Sequence, residues 1–219
     1  MKYFYMFYIL NYNLGILYLL QFLINKYWPG PLTIVFKKTE LVPALVSGGL
    51  DTVAVRMPDH KIARALIKLA NVPLAAPSAN TSGRPSPTTA KAVMADLQGK
   101  IAGVLDGGDC QIGLESTVVD CSGEIPVLLR PGAITFEMLQ HDLTKLVVDQ
   151  AVVDVKARPK APGMKYQHYA PAAPLVLFEG ENSTAVIQKM MEEYQKALAE
   201  GKSIQMLCRY DKMEPIWDD

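Results

Sequence analysis

Between residues 74 and 90 the chain reads LAAPSANTSGRPSPTTA, with three prolines, three serines, three threonines, one asparagine and one glycine among its apolar positions. Ser78, Asn80, Thr81 and Ser82 bring together hydroxyls, an amide and backbone N–H groups, and Gly83 follows. Ser86-Pro87 then reads as the N-cap and first position of a helix. Polar groups converging where a helix N-terminus points can hold phosphate or carboxylate without a large positive charge. The apolar run VPLAAP (72–77) leads into this stretch as a short strand. The carboxyl end of such a strand is where α/β sheets usually place ligands. A capped connection whose polar groups satisfy only the backbone is the other reading, and the spacing alone leaves both open.

Two arginines extend the first reading. Arg56 ends the apolar run TVAVR before Met57-Pro58, and Arg130 ends PVLLR before Pro131-Gly132. A guanidinium at the end of a buried strand is costly unless paired, so each has either an internal acid or an anionic ligand for a partner. Together with the Ser/Asn loop they suggest an anionic substrate of the nucleotide kind. Ser116 and Thr117 open STVVD (116–120) and read equally as site hydroxyls or as ordinary strand residues, whereas Trp28-Pro29-Gly30-Pro31 reads as a structural turn. There is no Walker A motif or dinucleotide fingerprint. His60, His141 and His168 are scattered, and Cys110, Cys121 and Cys208 lack zinc-type spacing, so no metal site is expected.

The elements that must position these residues follow an α/β pattern. PLTIVFKK (31–38) and TVAVRMP (52–58) read as strands, and Asp59 as the N-cap of HKIARALIKLAN, with Ile62, Leu66 and Leu69 on one face. GVLDGG (103–108), STVVDCS (116–122) and PVLLRPG (126–132) read as further strands, and a short helix runs from Thr135 to about Leu143. Residues 150–173 form a linker rich in proline, basic and aromatic residues. After it, PLVLFEG, a helix over about 183–200 and KSIQMLCRY make one strand–helix–strand unit. The 219 residues carry no net formal charge, so composition announces no nucleic-acid binder, and three cysteines fit a reducing, cytoplasmic compartment. Residues 1–21 stand apart: the first 27 residues hold six of the ten tyrosines, with no charge between Lys2 and Lys26. A membrane segment, interrupted by Asn11, Asn13 and Gln21, a signal peptide, for which no small-residue cleavage site follows, and a non-native leader joined to a domain near residue 22 all remain open, the leader favoured.

In order along the chain, YWPGPLTIVF, TVAVRMPDH, LAAPSANTSGRPSPTTA, LDGGDCQIGLESTVVD and LLRPGAI resemble the YrdC/Sua5 family of L-threonylcarbamoyladenylate synthases. PGMKYQHYAP resembles the linker of the two-domain Sua5 branch, and the likeness covers roughly residues 22 to 210. The resemblance implies an α/β fold: a twisted, mixed-sheet YrdC-like domain over 22–149, the linker over 150–173, and a partial small parallel α/β domain over 174–219. It implies a nucleotidyltransferase that makes threonylcarbamoyl-AMP from L-threonine, bicarbonate and ATP for threonylcarbamoyladenosine modification of tRNA. ATP would be a substrate, magnesium would accompany its phosphates, and the product would pass to a downstream tRNA threonylcarbamoyl transferase. A double-stranded RNA or tRNA partner is implied as well. By motif, Arg56, Ala76 and Ser116 would bind threonine. Thr52, Ser78, Asn80, Ser86 and Arg130 would bind ATP, with Tyr166 and His168 of the linker closing over the nucleotide.

The likeness is incomplete. The family's PTETVYGLG-type stretch and KxRP motif have no counterpart before WPGPLT, where the tyrosine-rich segment stands. Two cations facing the phosphates would supply about 2.7–4 kcal/mol each to the transition state. The sequence therefore predicts a fragment, cut at the N-terminus and near the end of the second domain, with weak activity or none by itself. Two other functions fit less of the chain: a carbamoyl-AMP-forming carbamoyltransferase relative, and a non-catalytic RNA- or nucleotide-binding module presenting Arg56, Arg84, Arg130, Lys156, Arg158, Lys160 and Lys165.

Overall fold

The computed structural model describes residues 14–153 and 175–206. The chain divides into two compact units, Met1–Ala170 and Pro171–Asp219. In the first, helix α1 (Leu14–Tyr27) leads into strand β1 (Leu32–Lys37), a single turn α2 (Ala44–Ser47) and strand β2 (Thr52–Val55). Helices α3 (Lys61–Ala70) and α4 (Ala90–Leu97) lie in the long excursion between β2 and β3 (Thr117–Asp120). Strand β4 (Val127–Arg130), helix α5 (Phe136–Asp142), strand β5 (Val147–Val148) and the turn α6 (Gln150–Val153) complete it. The second unit contributes α7 (Ser183–Ala199).

The strands form one mixed sheet in the order β2-β1-β3-β4-β5. β1 is antiparallel to β2 and parallel to β3, β3 is antiparallel to β4, and β4 is parallel to β5. The mixed α/β fold read from the sequence is therefore present. Strand alternation divides β1 between two layers. Leu32, Ile34 and Phe36 are fully buried against α1 and α5, in a core that includes Leu20, Leu23, Ile24, Val119, Leu128 and Leu139. The opposite face carries a much smaller apolar patch, Val35, Val118 and Leu129. That second face is where the polar residues of the sheet collect.

Helix α1 shows why the tyrosine-rich segment is not set wholly apart from the domain. Leu20, Leu23, Ile24 and Tyr27 recur at helical spacing and are buried, while Tyr18 and Phe22 on the outer side are 76% and 44% exposed. The helix starts at Leu14, so the folded layer begins ahead of the boundary drawn near residue 22. Among the described residues no helix is long and apolar enough to cross a membrane.

Several local expectations are corrected. His60, not Asp59, caps α3: its Nδ1 accepts from the Ala63 N–H, while Nε2 donates to the Gly107 carbonyl at 3.2 Å. Thr89, not Ser86, caps α4, because its hydroxyl reaches the Ala92 N–H at 3.1 Å. Residues 72–77 and 103–108 join no ladder. Pro73 and Pro77 remove donors from the first, and the Asp106 carboxylate folds the second into a turn by accepting the Gly108 N–H. Ile62, Leu66 and Leu69 of α3 are 42%, 44% and 84% exposed. In the second unit Asn182 caps α7 as an N-cap should, but residues 175–180 and 202–206 pair with no strand among the described residues. A lone strand without a partner has no ladder to join.

Two contacts fix the core. Asp142, with a side chain 3% exposed, accepts from Lys26 Nζ and Tyr27 OH, each at 2.5 Å, and from His141. These bonds tie α5 to the end of α1. Burial by itself would raise the Asp142 pKa; the hydrogen bonds from Lys26, then Tyr27 and His141, outweigh it and hold the carboxyl down to about 2. The second contact is a close crossing. Thr117 is fully buried, donates to the Ile134 carbonyl at 2.7 Å and accepts the Ile134 N–H at 3.1 Å. A Cβ at Gly132 would lie 2.6 Å from both the Glu115 carbonyl oxygen and the Thr117 nitrogen.

Because its folded pKa is depressed, Asp142 contributes stability above its unfolded value near 3.9, and that contribution is lost as pH falls toward 2. Asp142→Asn is expected to lower the urea midpoint at neutral pH and to flatten the fall in stability between about pH 4 and 2 relative to the parent chain. Gly132→Ala, which forces a methyl group onto backbone atoms, is expected to cost about 1–3 kcal/mol in the same measurement.

Candidate functional site

The second face of the sheet gathers Thr33, Ser116 and Arg130. Thr33 and Val118 are register partners on parallel strands, and Val118 is partnered in turn by Arg130. Strict alternation from Val127 and Leu129, which join Val35 and Val118 in the small apolar patch, would send Arg130 toward the helix-covered core. A register shift between Val118 and Val119 prevents this. The irregularity re-aims Arg130 in the way β-bulges re-aim side chains beside sites. Its Nε donates to the Ser116 carbonyl at 3.0 Å and its Nη2 to Ser116 Oγ at 3.1 Å. Ser116 is buried, and its hydroxyl lies 2.7 Å from Thr33 Oγ1. Thr33, Ser116 and Arg130 therefore form one continuous hydrogen-bonded chain across three strands.

Arg56 follows β2 directly. The last β2 pair is Ile34 with Val55, so the same antiparallel register sets Arg56 opposite Thr33. The Met57 carbonyl accepts the Gly30 N–H at 2.9 Å, anchoring this exit to the turn that contains the cis Trp28-Pro29 peptide. Trp28 is itself buried and donates to the Leu32 carbonyl at 2.7 Å. The Arg56 side chain is exposed, and desolvation first, and then the charge of Arg130, lower its pKa. The charge bearing on Arg56 is thus another cation. Two guanidiniums held near each other repel unless negative charge comes between them.

The Ser/Asn loop is built differently from the sheet site. Asn80 Nδ2 donates to the carbonyls of Thr81 at 3.0 Å and Arg84 at 2.9 Å, and the Arg84 N–H returns to the Thr81 carbonyl. Asn80 Oδ1 is buried with no hydrogen-bond partner among the described residues. Gly83, at φ 88°, supplies the left-handed turn. Asp96 of α4 accepts the Thr81 N–H at 3.1 Å and pairs with the Arg84 guanidinium. The Thr81 N–H is the chief cause that lowers the Asp96 pKa; burial opposes it, and Arg84 adds to it. Ala76 and Ser78 are exposed, Ser86 and Thr52 half-buried, and Thr52 pairs with Lys37 at the edge of the sheet.

The structure thus brings Arg56, Ser116 and Arg130 together and shapes the loop that carries Ser78, Asn80 and Ser86. Tyr166 and His168 lie outside the described residues, as do Lys156, Arg158, Lys160 and Lys165. Arg84, counted among the cations open to RNA, is engaged by Asp96. Among the described residues no group of three or more His, Cys, Asp or Glu side chains could hold a metal ion. Sequence reasoning missed Thr33, which looks like any β-branched strand residue, and Asp96. For Asp96 a signal existed: an acidic residue in the last turn of a helix sits at the negative end of its dipole and needs a reason to be there.

Comparison with known proteins bears on the family and the fold. The Sua5–YciO–YrdC family model, described as "Telomere recombination", matches residues 18–132, and the model described as "Threonylcarbamoyl-AMP synthase, C-terminal domain" matches residues 134–216. The threonylcarbamoyl-AMP synthase of Bacillus subtilis is 48% identical over 191 residues, covering 87% of this chain and 54% of that protein. The synthase of Pyrococcus abyssi is 48% identical over 185 residues, covering 84% and 54%. The solved structure of P. abyssi Sua5 complexed with L-threonine superposes with a TM-score of 0.82 at 45% identity, covering 91% of this chain and 58% of that one. The chain spans about half the length of the curated relatives it matches. A mixed five-stranded sheet that superposes on Sua5, near-half identity across most of the chain and two matching domain models lead to one conclusion: the chain belongs to the Sua5–YciO–YrdC family.

Proposed function

We propose that the chain carries the chemistry of threonylcarbamoyl-AMP synthesis, using L-threonine, bicarbonate and ATP and releasing pyrophosphate. One observation carries the reading: the β1–β2 register sets Arg56 opposite Thr33, whose hydroxyl bonds the buried Ser116 to which Arg130 is locked. The relatives named as threonylcarbamoyl-AMP synthases support it, as does the solved relative complexed with L-threonine.

In this reading Arg56 receives the threonine carboxylate as a charge-assisted fork. Ser116 and the Ala76 backbone complete the threonine pocket. Arg130, Thr52, Ser78 and Ser86 face ATP, and Asn80 acts by shaping the loop. The threonine nitrogen attacks the bicarbonate carbon, a C–N bond forms and the elements of water leave. A carbamate oxygen then attacks the α-phosphorus of ATP. The bond from that phosphorus to the bridging oxygen breaks, and its electron pair leaves with pyrophosphate. No side chain needs to form a covalent intermediate. The chain's own contribution is to position the threonine carboxylate, exclude water behind the buried Ser116 and place positive charge where negative charge develops. Magnesium would accompany the ATP phosphates and offset their negative charge. The product suits transfer to the adenosine of a tRNA by a separate transferase, and the substrates ATP and bicarbonate fit a cytoplasmic reaction.

Incubating the 219-residue chain with threonine, bicarbonate and ATP should yield threonylcarbamoyl-AMP and pyrophosphate in equal amounts, each dependent on all three substrates, at the low turnover expected of a sequence without the KxRP motif. Arg56→Ala is expected to lower kcat/KM for threonine about 100-fold or more. Ser116→Ala, which removes one neutral hydroxyl, should cost about 10-fold. Pyrophosphate release that ignores threonine, or that survives Arg56→Ala unchanged, would contradict the assignment.

A further inference from the structure

The residue that holds the Ser78–Ser86 loop in shape is Asp96, and no motif of the loop contains it. Three observations converge on this side chain. Its Oδ2 accepts the Thr81 backbone N–H at 3.1 Å, and its Oδ1 takes the Arg84 guanidinium. It thereby grips both ends of the turn in which the Thr81 carbonyl accepts the Arg84 N–H. Asn80 closes the same turn from inside, donating to the Thr81 and Arg84 carbonyls. Finally, Asp96 stands in the last turn of α4, which ends at Leu97. A carboxylate there opposes the helix dipole and has low helix propensity. A locally unfavourable residue with a side chain only 11% exposed is explained by what it holds.

We infer that Asp96 is a positioning residue for the nucleotide subsite, clamping the 78–86 loop to α4 so that Ser78 and Ser86 are presented in a fixed geometry. The inference rests on the reading of this loop as the ATP side of the site. It assigns Asp96 no contact with substrate: Asp96 acts through the Thr81 N–H and Arg84. Its loss should therefore weaken ATP and leave threonine nearly unchanged, because the Arg56 and Ser116 side chains are held by the sheet and Ala76 offers threonine only its backbone, ahead of the clamped turn. Asp96→Asn retains an oxygen that can accept the Thr81 N–H but loses the ion pair with Arg84, so it should fall between the parent and Asp96→Ala.

The test uses the full chain and two readouts. Amide hydrogen exchange at Thr81 reports the clamp directly, and titration calorimetry gives Kd for ATP and for threonine separately. The expected result for Asp96→Ala is faster exchange at Thr81, an ATP Kd raised about 10-fold and a threonine Kd unchanged within twofold, with Asp96→Asn intermediate in the first two. Unchanged exchange at Thr81 in both variants would overturn the clamp. Faster exchange with an unchanged ATP Kd would overturn the positioning role while leaving the ATP assignment intact. Equal losses of ATP and threonine affinity would mark Asp96 as generally structural and also overturn it. A parent chain that binds threonine but not ATP would remove the nucleotide reading itself, and the positioning role with it. Should Asp96→Ala not fold, Asp96→Asn and Arg84→Ala carry the same comparison, each expected to show partial loss confined to ATP.

Discussion

The arrangement of the site depends on one close crossing. After β4 the chain passes so near the start of β3 that no side chain fits at Gly132. The buried Thr117 hydroxyl fastens the crossing by bonding both the N–H and the carbonyl of Ile134. With these groups inside the protein, each bond also satisfies a polar atom whose burial would otherwise be costly. The crossing pins the strand end that carries Arg130 against the strand start that carries Ser116. Beside it the register shift at Val118 turns Arg130 out of the core face. The placement of the Arg130 guanidinium on Ser116 is therefore a consequence of backbone geometry. Such preorganisation is what electrostatic catalysis requires.

The two halves of the site are held by different means. Arg56, Thr33, Ser116 and Arg130 sit on or next to strands whose other face packs against α1 and α5, and the Lys26–Tyr27–Asp142 cluster joins those helices. The 78–86 loop lies in the excursion between β2 and β3, where α3 and α4 contribute no fully buried side chain. There, hydrogen bonds within the loop and to Asp96 take over the work that packing does in the sheet. Substitutions in the two halves should accordingly fail differently: sheet residues through global stability, loop residues through local shape.

Much of this was legible in the sequence, and what was not has a physical cause. Apolar runs beside turn residues marked β1, β2, β3 and β4, and the strand-end arginines stood out because charge is expensive there. VPLAAP misled because apolar content alone does not supply a partner strand, and GVLDGG because its turn is made by a side chain, Asp106, two residues from the N–H it accepts. The caps of α3 and α4 shifted by one and three residues because several polar residues in a row can each reach a free N–H, and only tertiary position selects among them. Thr33 was invisible because its role comes from lying across a parallel ladder from residues some 83 positions away. The family resemblance named Arg56, Ser116 and Arg130 as binding residues, but the bulge that brings Arg130 onto Ser116 leaves no mark in the sequence.

The central claim is that Arg56 and Arg130 form a prearranged receptor for the anionic groups of threonine and ATP. The most direct measurement follows the guanidinium Nε–H resonances of these two arginines by NMR as each ligand is added. Threonine should shift Arg56 most, ATP should shift Arg130 most, and both together should slow exchange of both protons with water. If neither resonance moves at saturating threonine and ATP while the fold is intact, the sheet end is not the substrate site.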